Sequence, residues 1–124
     1  MTLLAAKRPA TAARRRSLFE EAAEIIEREY AQDLALNEVA RRIAASRRQL
    51  QRSFAEAGGT TFRTYLQEVR MARAAELLRS GCLPVSGVAK AVGYRQPAQF
   101  AKAFRRHHGA SPSSFRNGAQ PLAA

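Results

Sequence analysis

Two short stretches of this chain carry side chains suited to holding a polyanion and reading its edges. The first contains Ser46, Arg47, Arg48, Gln51 and Arg52. The second contains Arg95, Gln96, Ala98, Gln99 and Lys102, followed by Arg105 and Arg106. Arginine presents a planar fork of donors that fits phosphate or the major-groove edge of guanine, and glutamine pairs in the same way with adenine. Alanine forms no side-chain hydrogen bond but can meet a thymine methyl. Arg105 and Arg106 suit phosphates along a groove wall. Taken singly, either stretch is equally an ordinary solvated basic face.

Both stretches sit on segments that read as helices behind a tight turn. Ser46-Arg47-Arg48-Gln49 has the form of a capping box, opening a helix that buries Leu50 and Phe54 and turns Arg47, Arg48, Gln51 and Arg52 outward. Ahead of it, Val39, Ala40 and Ile43 mark the inner face of a short helix, so residues 36–57 form a helix-turn-helix. In the second copy, residues 85–107, Gly93 supplies a left-handed turn and Pro97 sits in the first helical turn, with Phe100 and Phe104 inward. From 62 to 80 a long helix joins the two. It is free of Gly and Pro and stops at Gly81, and the stretch from Phe62 to Arg79 spans roughly 27 Å at 1.5 Å per residue.

The two copies match residue for residue. Leu34 to Ala40 aligns with Leu83 to Ala89, Ile43 with Val92, Leu50 with Phe100, Arg52 with Lys102 and Phe54 with Phe104. Gly59 aligns with Gly109, Thr61 with Ser111 and Tyr65 with Phe115. A repeat that keeps the apolar positions, the small residues and a basic outer face implies one recognition unit used twice. Double-stranded DNA is the partner this favours.

Composition agrees. The chain has 124 residues, 46% of them apolar, with 21 basic against 10 acidic residues and a net charge of +11. That excess points to a nucleic acid or an anionic membrane surface. All basic residues except Lys7, Lys90 and Lys102 are arginine. One cysteine, Cys82, allows neither an internal disulfide nor a cysteine-based zinc site, and fits a reducing compartment. No apolar run approaches the roughly 20 residues that span a bilayer. His107-His108 lacks a third metal ligand nearby, and no phosphate loop, nucleophile elbow or paired-carboxylate set appears. No enzyme, no metal and no cofactor is expected.

The remaining segments are supporting. Residues 1–16 read as a disordered basic tail, although their composition resembles an organellar transit peptide. Order begins at Ser17, an N-cap with Glu20 completing a capping box. Leu18, Ala22, Ile25, Ile26 and Tyr30 then form the inner stripe of a helix whose acidic face argues against direct contact with DNA. Residues 111–116 read as a short closing helix and 117–124 as a loose tail.

Gly93-Tyr94, Phe100-Ala101-Lys102-Ala103-Phe104-Arg105-Arg106, Gly109-Ala110-Ser111-Pro112 and Phe115-Arg116 resemble the signature of the AraC/XylS family of bacterial transcription regulators. Tyr65-Leu66, Arg70-Met71, Ala74 and Leu77-Leu78 look like that family's connecting helix. The resemblance covers Leu18 to Arg116. It implies an all-α domain, residues 17–116, with two helix-turn-helix lobes on one linker helix and recognition helices that enter successive major grooves. Carried over by position, the readers are Arg48, Gln51 and Arg52 in the first lobe and Gln96, Ala98, Gln99 and Lys102 in the second.

The chain departs from the family pattern at Ala44-Ala45, where glycine is common, which implies a differently shaped first turn. It also lacks a capping Ser or Thr at Ala35, and carries Lys102 in place of arginine. The resemblance further implies a cytoplasmic protein at the bacterial nucleoid, with RNA polymerase as a further partner and no membrane association, and two unlike readers on one chain imply a monomer on DNA. With so little chain ahead of the first helix, it is most like the short stand-alone regulators. The alternatives are the DNA-binding portion of a longer, ligand-responsive regulator, or a charge-driven architectural DNA binder.

Overall fold

Leu18, Ala22, Ile25 and Ile26 recur at helical spacing and lie buried on one side of helix α1, which spans Thr2–Glu29. The computed structural model describes residues 2–119. The further helices are α2 (Leu36–Arg42), α3 (Arg47–Gly58), α4 (Phe62–Ser80), α5 (Val85–Ala91), α6 (Pro97–His108) and α7 (Pro112–Ala119). Among the described residues there is no strand, and the fold is all-α as expected.

Two boundaries differ from the sequence reading. The helix does not begin at Ser17: α1 already runs from Thr2, and Ser17 lies inside it with its hydroxyl donating to the Glu21 carboxylate at 3.3 Å. Apart from Pro9, the residues ahead of Ser17 are mostly Ala, Leu, Lys and Arg, which cost a helix little. Arg15 also pairs with Glu56 of α3, an anchor that composition cannot reveal. The described part of the expected tail is therefore helical. At the other end α7 continues past Asn117 to Ala119, and the rest of the expected loose tail lies outside the described residues.

The chain divides into two units, residues up to 29 with 34–66, and 30–33 with 67 onward, so that the division falls within α4. In the first unit α1 packs on α2 and α3, and its apolar stripe shares a core with Val39, Ala40, Leu50 and Phe54. Phe19 sets its ring edge-on to Phe54 at 5.1 Å and to Tyr65 at 5.6 Å. That ring explains Gly58, where a Cβ would lie 2.5 Å from it. Helix α3 passes through Gly58 and stops at Gly59, whose φ of 64° is left-handed. Arg42 of α2 donates twice to the Glu29 carboxylate of α1, at 2.8 and 2.6 Å. These bonds hold the carboxyl below its ordinary range and raise the guanidinium above its own.

In the second unit Met71, Ala74, Ala75 and Leu78 of α4 share a core with Val88, Ala89, Val92, Phe100 and Phe104. Two arginines brace it by donating to main-chain carbonyls. Arg70 reaches Tyr30 at 2.7 Å and Gln32 at 2.9 Å, half-buried, so that desolvation pushes its pKa down. Arg116 reaches Leu78 at 3.2 Å and also Leu83, satisfying carbonyls near the end of α4. His108 takes a structural place in this core. It is half-buried, stacks on Phe104 at 4.3 Å and bonds the Met71 carbonyl oxygen at 3.0 Å. Phe19 and His108 thus contribute corresponding third rings to the pairs Phe54–Tyr65 and Phe104–Phe115.

Candidate nucleic-acid interface

The two turns that aim the candidate residues have one hydrogen-bond pattern. In the first, the Ile43, Ala44 and Ala45 amides donate to Val39, Arg41 and Ala40 at 3.2, 3.1 and 2.9 Å. In the second, Val92, Gly93 and Tyr94 donate to Val88, Lys90 and Ala89 at 3.1, 3.1 and 2.9 Å. Ala44 occupies the place of Gly93 and takes the same left-handed region, with φ of 56° against 99°. The expectation of a differently shaped first turn is therefore corrected. Hydrogen bonds on both sides hold Ala44 in a conformation that alanine alone disfavours. Ala35, where a capping hydroxyl was missing, is the N-cap of α2 and makes no side-chain bond, and neither does its counterpart Pro84.

The turns differ by one residue. Four residues separate α2 from α3 and five separate α5 from α6, and the additional one is Arg95. Beyond it the starts of the two helices diverge. Ser46 caps α3 by accepting from the Gln49 amide at 3.0 Å, while the Ser46 amide donates to Gln49 Oε1 at 2.9 Å, the reciprocal box read from the sequence. Gln96 is the N-cap of α6 without a side-chain bond, and Pro97 supplies the first turn instead.

All of Ser46, Arg47, Arg48, Gln51 and Arg52 are exposed on α3 or at its cap. On the other side of the helix Leu50, Ser53 and Phe54 are buried, with the Ser53 hydroxyl donating to the Gln49 carbonyl at 2.8 Å. Arg95, Gln96, Ala98, Gln99, Lys102, Arg105 and Arg106 are likewise exposed, opposite buried Phe100 and Phe104. The structure thus gathers the first set on one helix of the first unit and the second set on one helix of the second. Position by position the two faces are unlike. Arg48 corresponds to Ala98, Gln51 to Ala101, Arg52 to Lys102, Ala55 to Arg105 and Glu56 to Arg106. Charge is therefore concentrated in the first half of α3 but in the second half of α6.

Sequence reasoning missed the part α1 plays here. Glu56, the acid on α3, is paired with Arg15, so the recognition face keeps its positive character. The signal available was the run Arg14-Arg15-Arg16, visible but assigned to a tail.

Paired helices behind matching turns, each with a basic outer face, define a helix-turn-helix protein of the kind that meets a nucleic acid. Residues 39–118 match the family described as Helix-turn-helix domain. Over 96 residues the chain is 32% identical to the Msm operon regulatory protein of Streptococcus mutans, covering 77% of this chain and 34% of that protein. It spans about a third of the length of the curated relatives it matches. Among solved structures, the C-terminal domain of AraT, a response regulator from Geobacillus stearothermophilus, superposes with a TM-score of 0.78 at 34% identity, covering 82% of this chain and 84% of that one. The DNA-binding domain of AdpA, a global transcriptional factor in complex with a target DNA, gives 0.73 at 31% identity, covering 82% and 90%. The chain belongs to the AraC/XylS family of helix-turn-helix transcription regulators.

Proposed function

We propose that this chain binds double-stranded DNA sequence-specifically, with α3 and α6 as recognition helices in successive major grooves, and thereby regulates transcription. The observation that carries this reading is the duplicated unit itself. The same turn hydrogen bonds precede two helices whose outward residues are those that read bases and hold phosphates. In the first lobe Arg48, Gln51 and Arg52 would read base edges, with Ser46 and Arg47 at the helix start facing phosphate. In the second, Gln96, Ala98, Gln99 and Lys102 would face bases, while Arg95, Arg105 and Arg106 hold the backbone. The similarity to a domain solved on its target DNA supports the partner.

The protein acts by binding rather than catalysis, as a monomer on DNA, at the nucleoid of a bacterial cytoplasm, with RNA polymerase as the partner that reads its occupancy. No helix among the described residues is long and apolar enough to cross a membrane. Selection from a random duplex library at fixed salt tests the reading. Enrichment of a defined motif that outcompetes random duplex is expected. Equal binding to all sequences would leave a charge-driven architectural binder.

A further inference from the structure

Beside the recognition helix of the first unit lies a cavity of about 290 Å³ whose wall is shared by α1 and the start of α3. Arg14 and Arg15 line it from α1, and Ser46, Arg48 and Arg52 line it from α3. Arg15 is committed to Glu56. Arg14, Arg48 and Arg52 have no carboxylate partner among the described residues, and all three are exposed. Three guanidiniums without a carboxylate partner give this small concavity a positive character that favours an anion able to accept fork-shaped donors.

We infer that the N-terminal half of α1 is part of the DNA interface, with Arg14 closing a seat for one backbone phosphate beside Ser46 at the start of α3, while Arg48 and Arg52 on the same wall remain the readers of base edges. The inference rests on DNA as the partner but extends the surface beyond the two recognition helices. The observations favour a DNA phosphate over a free anion. The wall of the seat includes Ser46, Arg48 and Arg52, exposed residues of the helix proposed to enter the groove and of its cap, so a duplex lying against α3 meets the seat. The Arg15–Glu56 pair holds α1 against α3, and so keeps Arg14 on station.

The test measures salt dependence on a random-sequence duplex, so that it does not require the preferred site to be known. Removing a single phosphate-binding side chain should lower the slope of log affinity against log salt by about 0.9. Arg14→Ala should therefore reduce the slope by about that amount, and Arg14→Lys should restore it. Arg16→Ala removes an equal charge from the same helical turn but lies outside the cavity wall, and should leave the slope near that of the parent. Helix content and melting of each variant establish that it is folded. Equal slopes for Arg14→Ala and the parent, or equal losses for Arg14→Ala and Arg16→Ala, would overturn the seat. If the seat alone fails, Arg105→Ala will still flatten the slope. If DNA binding itself is wrong, the parent will not bind the duplex, and both readings fall together.

Discussion

At the scale of single residues, Ala44 and Gly93 make the most direct comparison, because the repeat puts two residue types in one conformation. A left-handed backbone costs a non-glycine residue about 1–2 kcal/mol, part of which glycine returns through its freer unfolded state. Ala44 is exposed, so Ala44→Gly should stabilise the first unit by about 0.5–1 kcal/mol. Gly93→Ala should destabilise the second by about 2 kcal/mol. There a Cβ would also lie 3.0 Å from the Ala31 carbonyl oxygen and 3.1 Å from the Arg70 guanidinium that braces the same loop. Denaturant midpoints at constant m-value measure both, and opposite signs are the expected result. The sequence showed the glycine missing from the first turn but not that the turn keeps its shape, because flanking hydrogen bonds and not the residue type decide it. A second residue-scale expectation separates readers from clamps. Arg52→Ala should lose about 1–3 kcal/mol on the selected site and relax its preference there, while Arg105→Ala or Arg106→Ala weakens all duplexes evenly. An equal loss for Arg52→Ala on specific and random duplex would move that residue among the phosphate contacts.

At the scale of elements, the inner faces of α3 and α6 were legible because Leu50, Phe54, Phe100 and Phe104 fall at helical spacing and are all buried. The start of α1 was not legible. No periodic apolar stripe marks residues ahead of Leu18, and a tie they make to α3, the Arg15–Glu56 pair, joins positions 41 apart. The unequal recognition helices yield a further expectation. Helix α3 combines a reciprocal cap with Arg48, Gln51 and Arg52 on its outer face, whereas α6 offers Ala98 and Ala101 at the corresponding first two places. Base hydrogen bonds should be concentrated in the half of the site met by α3. Phosphate contacts, thymine methyls and any bending of the duplex should hold the other half. Randomising the first box should cost more affinity than randomising the second, measured in one competition at fixed salt. Greater sensitivity of the second box would reverse this ranking of the helices.

At the scale of the whole molecule, the repeat decides the symmetry of the site. A symmetric dimer brings one reader twice and so requires an inverted repeat in the DNA. This chain carries two readers that have diverged at most of their outward positions, with arginine opposite alanine and glutamine opposite alanine. One copy therefore presents two different surfaces, and a second copy is not needed to engage two grooves. The target should be non-palindromic, with two unlike boxes whose centres lie about 10 bp apart, one turn of the duplex. Reversing one box in place should abolish its contribution, because the helix that reads it has a fixed direction in the chain. Sedimentation or mass measurement of the complex on the selected site should give one protein per duplex, and titration should reach saturation at that ratio. Two copies bound to an inverted repeat, with no binding of one copy to either half, would mean that only one of the two recognition helices reads DNA. The other would then be kept for its packing, and the basic residues on its outer face could be replaced by neutral ones without loss of affinity for that repeat.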